Sequence, residues 1–256
     1  MKRIYHYAVL ALTLGLGACT QDDAPDLQEQ EIRIATRSTS DENATETFTD
    51  DFTLELWSTT DNAKYETHEV THNGTEWNTV KSSILPAHAF AYKGSSVTDI
   101  FYTDKWNYTV NLQLDQSDVT KLANADMMIA TGDAVADSPL DLNFEHVFAK
   151  VTFNVTYKDF TNNPALTEIK SGNISCFLNE GKIEMIMNPG TFAAEAEILS
   201  LKVSGVSQTV KLKDESIFKK GAHYTYNLTI GTKEATLTAT NVGYPGGWSD
   251  SETELN

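Results

Sequence analysis

Between Leu140 and Val155 apolar and polar residues alternate with a period of two. Leu140, Leu142 and Phe144 come first, then, after a slip of one residue at His146, Val147, Ala149, Val151, Phe153 and Val155. Successive side chains of a strand point to opposite faces, so this pattern demands an extended backbone with one face on a core. The slip predicts one long strand with a β-bulge at His146. Just upstream, Asp126-Met127-Met128-Ile129-Ala130, followed by Thr131-Gly132-Asp133, reads as the closing strand of a preceding unit. The stretch therefore joins two halves that read alike.

In the first half, Phe52, Leu54 and Leu56 alternate with Thr53, Glu55 and Trp57, and Tyr65 to Val70 reads as the returning strand. Asn73-Gly74 predicts a hairpin with a type I′ turn, because that turn needs two positive φ angles. Strands are expected again in Ala87 to Tyr92, Val97 to Tyr102 and Trp106 to Leu114. The one helical signal is Ser117 to Asn124, with Ser117 as cap. In the second half, Leu166 to Phe177, Lys182 to Met187, Ile198 to Val203, Gln208 to Leu212, His223 to Ile230 and Ala235 to Thr240 all read as strands. Tyr224, Tyr226, Leu228 and Ile230 share one face, and Trp248 is placed at the end of the sandwich. Short strands at intervals of about ten residues predict an all-β chain of sandwich type. At 256 residues there is length for two cores, expected in residues 46–137 and 138–256.

The N-terminus reads as an address. Lys2 and Arg3 precede an apolar run from Tyr7 to Leu16 that is too short to span a bilayer, and small residues follow at Gly17-Ala18. This is the layout of a secretory signal peptide over residues 1–18. Leu16-Gly17-Ala18-Cys19 resembles a bacterial lipobox, which implies cleavage between Ala18 and Cys19 and acylation of Cys19, with several chains anchoring the protein in the outer membrane. Thr20-Gln21-Asp22-Asp23 resembles the surface-export signal of lipoproteins in bacteria with type V pili. Residues 19–45 form a polar, acidic linker in which Ile32 and Ile34 permit a short strand over 31–37. Arg37-Ser38 offers a basic residue in a flexible setting, as a trypsin-like protease needs. A plain tether explains the same residues.

Net charge is −17. So acidic a surface repels nucleic acid, which is excluded as a partner. With Cys19 lipidated, Cys176 has no thiol to pair with and reads as a buried small hydrophobe. There is no phosphate loop, metal-binding Cys or His pair or nucleophile elbow, so the chain does not read as an enzyme and no cofactor or metal site is assigned. His68 and His72, with Glu66 and Glu69, are the nearest approach to a metal set, yet scattered surface residues explain them better. The same holds for Asp115, Asp118, Asp126 and Asp133 as a calcium set. His146 is expected to pack through a hydrogen bond.

Several separated motifs agree on a resemblance. Ala89-Phe90-Ala91-Tyr92, Asp115-Gln116-Ser117, Asp126 to Ala130, Leu142 to Val151, Gly221 to Ile230 and Trp248 together resemble the fimbrillin family of type V pili, over the whole chain after Arg37. The resemblance implies two tandem transthyretin-like Greek-key β-sandwich domains after the signal peptide and linker, export as a lipoprotein, and an Arg-specific cut after Arg37, with Arg33 second. It also implies polymerisation with other pilus subunits by donor-strand exchange, and an adhesion target on a host or bacterial surface. The short acidic segment after Trp248 departs from a stalk subunit, so an unprocessed tip or anchor role stays open. So does a monomeric surface lipoprotein that stacks glycans on Trp57, Trp77, Trp106 or Tyr244.

Overall fold

The computed structural model describes residues 29–41, 44–61, 63–94, 97–240 and 249–250. Ten strands and one helix precede the crossing at Val147: β1 (Gln30–Asp41), β2 (Ala44–Glu46), β3 (Phe52–Ser58), β4 (Tyr65–Val70), β5 (Val80–Ser82), β6 (Ala87–Lys93), β7 (Val97–Tyr102), β8 (Trp106–Val110), α1 (Val119–Ala125), β9 (Met128–Ala134) and β10 (Pro139–His146). The largest sheet runs β2-β1-β10-β9-β6-β3-β4, with β5 added to β1. It rolls over itself at β10. The last two residues of β10 pair with Met128 and Ile129 of β9, whereas Pro139 to Phe144 run parallel to Arg33–Ser38 of β1.

Alternation decides which side of each strand enters the roll. Phe52, Leu54 and Leu56 of β3 point in, as do Ala87, Ala89 and Ala91 of β6. The alanines and Gly132 of β9 keep this wall thin, so the opposing layer comes close; a Cβ on Gly132 would stand 3.0 Å from Leu140 Cδ1 and 3.1 Å from the Asp141 carbonyl oxygen. Phe144 sits at the centre, stacked on Phe48 at 4.0 Å and edge-on to Phe52 at 5.0 Å. Ile32, from β1, completes the same core.

The second core is built from β11 (Ala149–Tyr157), β12 (Leu166–Ser171), β13 (Ile174–Ser175), β14 (Phe177–Asn179), β15 (Lys182–Met187), β16 (Gly190–Phe192), β17 (Glu197–Val203), β18 (Val206–Lys211), β19 (Ser216–Phe218), β20 (Ala222–Ile230), β21 (Ala235–Thr240) and β22 (Ser249–Asp250). One sheet runs β14-β15-β11-β20-β21, with β22 on β20, and another runs β13-β12-β17-β18. Their inner faces meet in one apolar cluster. As the alternation predicts, Tyr224, Tyr226, Leu228 and Ile230 all point into it.

The slip at His146 is not a bulge. β10 ends there, the chain bends at Val147–Phe148, and β11 starts at Ala149 in a different sheet. The register changes because the chain passes from one core to the other. Residues 139–146, expected with the second unit, are hydrogen-bonded into the first sheet, and Leu140, Leu142 and Phe144 lie in the first core. The closing strand read at 126–130 is β9, which starts at Met128 and runs on through Thr131-Gly132-Asp133 to Ala134. The expected strand over 166–177 is broken into β12, β13 and β14, with a turn at Gly172, whose φ is +55°.

Two local signals are satisfied differently. Asn73-Gly74 closes a four-residue loop between the bridged pair His72 and Trp77. Only Gly74 has positive φ, while Asn73 Oδ1 accepts from the amides of Thr75 and Glu76. That side-chain bond replaces the second left-handed residue of a type I′ turn. The helix is capped by Asp118, one residue later than expected. Its carboxylate accepts from the Lys121 amide, and the Ser117 hydroxyl instead donates to Asp115 Oδ1 at 2.7 Å.

Between the cores lies a smaller cluster of Leu122, Ala125, Met127, Phe148 and Ile186. Its polar tie is Gln116, fully buried. Its Nε2 donates to the Ile186 carbonyl at 2.8 Å and its Oε1 accepts from the Ile186 amide at 2.7 Å, as a neighbouring strand would. Gln116→Ala would strand both backbone groups in the dry interior. It is expected to cost roughly 2–4 kcal/mol of stability, read as a lowered urea midpoint.

His223 supplies a pH test. Burial, with help from the Lys150 charge, pushes its imidazole down to about 4. The unfolded chain, with an ordinary value near 6.5, binds the extra proton first as pH falls. Stability is therefore lost progressively from about pH 6.5 toward pH 4. In urea titrations at the two ends of that window, His223→Gln should narrow the difference seen in the parent protein.

Candidate functional site

β1 is the first strand among the described residues. It carries three partners: β10 in parallel, β5 antiparallel through Gln30–Ile32, and β2 antiparallel. Its even positions turn inward, with Ile32 and Ser38 buried and Ile34 and Thr36 half-buried. The odd positions Glu31, Arg33, Ala35 and Arg37 are exposed. The sequence predicts a strand over 31–37 inside a linker, and the strand extends to Asp41 as an integral member of the sheet.

Both candidate cleavage residues lie on this outer face. Arg33 donates to the Asp137 carbonyl at 2.8 Å. Arg37 stands opposite Asn143 of β10, so its side chain faces solvent while its peptide lies in the ladder. A protease binds its substrate as an extended chain, which means the β1 backbone must leave the sheet before it is cut. Sequence reasoning misses the partner: nothing in Pro139–Phe144 signals that a strand about a hundred residues earlier lies beside it. Ala18 and Cys19, the expected lipidation site, and Tyr244 and Trp248 lie outside the described residues.

The residues considered for metal chemistry do not converge. Glu66 accepts from the Ser83 amide and hydroxyl and contacts His68 Nε2 at 3.2 Å. Glu69 bonds Thr53, and His72 Nδ1 accepts from the Gly74 amide while its ring meets Trp77 edge-on. Of the four aspartates, Asp115 and Asp118 share Lys121, at 2.8 and 3.3 Å, and the other two are engaged elsewhere. Lys121 and Ser117 hold the Asp115 carboxyl down at about 2, Asp118 caps α1, Asp126 meets buried His146 at 2.6 Å and Asp133 meets His88 at 2.7 Å. Among the described residues no three His, Cys, Asp or Glu groups could hold an ion together, and no helix is long and apolar enough to cross a membrane.

Aromatic residues gather on the outer face of the first sheet. Trp57, His88, Phe90 and Tyr92 point away from the core, and the β7–β8 hairpin folds over them. Trp57 stacks on Tyr65 at 5.2 Å and meets Trp106 at 6.2 Å, and Phe90 is fully buried beneath Trp106 and Tyr108. Trp77 is half-buried against Phe52. Trp57 and Trp106 thus pack on each other and on Tyr65 and Phe90, whereas Trp77 packs on Phe52 and His72 beside the first core.

Cys176 is buried, and desolvation pushes its thiol up to about 12. The thiolate is the reactive form. Iodoacetamide at pH 8 should leave Cys176 unmodified in the folded protein and alkylate it in urea, as read by peptide mass.

Comparisons with known proteins agree with this architecture. A putative cell adhesion protein from Bacteroides ovatus superimposes with a TM-score of 0.55 at 13% identity, covering 83% of this chain and 96% of that one. One from Bacteroides uniformis gives 0.50 at 13% identity, over 82% and 97%. No curated protein is similar in sequence. The model of the fimbrillin-like family matches residues 20–243. By that match over most of its length, the chain belongs to the fimbrillin-like family and is a pilus or adhesion subunit, not an enzyme.

Proposed function

We propose that the protein is a pilus subunit exported as a surface lipoprotein, anchored at first through Cys19, and that cleavage after Arg37 releases residues 30–37 of β1 so that a strand of a neighbouring subunit takes their place. The observation that carries this reading is the position of β1. Loss of residues 30–37 would strip the backbone partners from β10 opposite Arg33–Arg37 and from β5 over Val80–Ser82. It would also withdraw Ile32 and Ile34, leaving apolar sockets where burial of each isoleucine is worth up to about 1.5–3 kcal/mol. An incoming strand with alternating apolar residues satisfies the ladder and the sockets together. The two cores correspond to two tandem transthyretin-like sandwiches in this reading, divided near Val147 rather than after Asp137. With Cys19 retained and no cut, the same chain is an anchor or tip subunit.

The test is treatment of the lipidated protein with an Arg-specific protease, followed by intact mass, N-terminal sequencing and denaturing gels without boiling. A new terminus at Ser38 and a heat-resistant ladder are expected, with Arg37→Ala suppressing both. Cleavage after Arg37 without any ladder would sink strand exchange by this subunit alone.

A further inference from the structure

Asn73-Gly74 is the only Asn-Gly pair in the sequence, and its loop surrounds it with the groups that a reaction between the two residues needs. The pair lies exposed at the tip of the loop closed by the His72–Trp77 bridge. Asn73 Oδ1 accepts from the amides of Thr75 at 2.9 Å and Glu76 at 3.0 Å, so the side-chain carbonyl is folded forward over the peptide that joins Asn73 to Gly74. The Gly74 amide donates to His72 Nδ1 at 3.1 Å. An N–H aimed at Nδ1 requires a lone pair there, which is what a proton acceptor needs. His72 is held through both its backbone and its ring. Its amide donates to Asp51 Oδ1 at 2.9 Å, and the imidazole meets Trp77 with centroids 4.6 Å apart. Gly74 has no side chain to hinder the approach of its nitrogen, and at a φ of +93° few other residues would fit.

We infer that Asn73 is a self-modification site, which this loop converts to aspartate and isoaspartate through a succinimide. His72 Nδ1 takes the proton of the Gly74 amide as that nitrogen attacks Cγ of Asn73. The N–Cγ bond forms and the carbonyl electron pair moves onto Oδ1, where the amides of Thr75 and Glu76 stabilise the oxyanion. When the pair returns, the Cγ–Nδ2 bond breaks, and Nδ2 leaves as ammonia with the proton held by His72. Water then opens the ring. Attack at Cγ gives aspartate, and attack at the main-chain carbonyl gives isoaspartate, in which Gly74 is linked through the side-chain carbon. One water is consumed and one ammonia released, so neither an oxidant nor a cofactor is needed. Both products place a carboxylate on a tip that already carries exposed Glu76, and isoaspartate also lengthens the main chain inside the bridged loop. The site goes beyond the assembly reading and requires neither cleavage nor strand exchange.

The test incubates the folded full chain in warm neutral buffer beside a synthetic peptide of residues 68–78, which has the same sequence without the fold. Peptide mapping by mass follows a gain of about 1 Da at Asn73, and chromatography separates the two products. The folded protein is expected to convert about tenfold or more faster than the peptide. His72→Gln keeps a hydrogen-bond acceptor beside Gly74 but no base. It should slow the folded protein by about tenfold or more while changing the peptide by less than about twofold, a contrast that a merely structural role would not produce. Circular dichroism checks that the variant folds. The inference is overturned if the folded parent converts no faster than the peptide, or if the folded His72→Gln variant converts at the parent's rate.

Discussion

The structure depends on the two-sided pairing of β10. One end of this strand is bonded to β9 and the rest to β1, so the first sheet turns back over itself at β10 and encloses Phe48, Phe52 and Phe144. The thin wall of alanines and Gly132 is the sequence counterpart of that turn, since larger side chains there would hold the layers apart. Because β1 meets β10 in parallel, no hairpin can join them, and the chain between them must cross over.

The junction between the cores is held by a few side chains acting as backbone. Gln116 reads both polar groups of Ile186, and Asp126 engages His146 at the last residue of β10, just before the chain crosses over. Phe148 and Ile186 seal the same place with α1. These contacts fix the crossing at Val147–Phe148, which in turn fixes which residues serve each core. The chain is thus a fimbrillin-like subunit with an aromatic cluster on the outer face of its first sheet and an N-terminal strand, β1, set between β10 and β2.

Much of this is legible in the amino-acid sequence alone. Period-two alternation places β3, β6, β10, β11 and β20 and the inward side of each, because a half-buried strand cannot hide its pattern. The motifs around Phe90, Gln116 and Met128 point to the family. What misleads is local ambiguity. A one-residue slip at His146 looks the same in sequence whether the strand bulges or passes into another sheet, and Asn73-Gly74 suits a four-residue loop as well as a two-residue turn. Ser117 and Asp118 are both good caps, and only the neighbouring Asp115 decides between them by taking the Ser117 hydroxyl.

By itself the sequence determined that the chain is made of strands, which faces of them are apolar, and where exposed arginines stand near the N-terminus. These are local properties, set by side-chain chemistry at a spacing of two. Only the tertiary structure decided that residues 30–41 are a strand of the first sheet and that their neighbour is β10. Pairing across a hundred residues leaves no trace in either segment, since backbone hydrogen bonds are the same for every residue, and the choice of partner falls to the packing of the whole core.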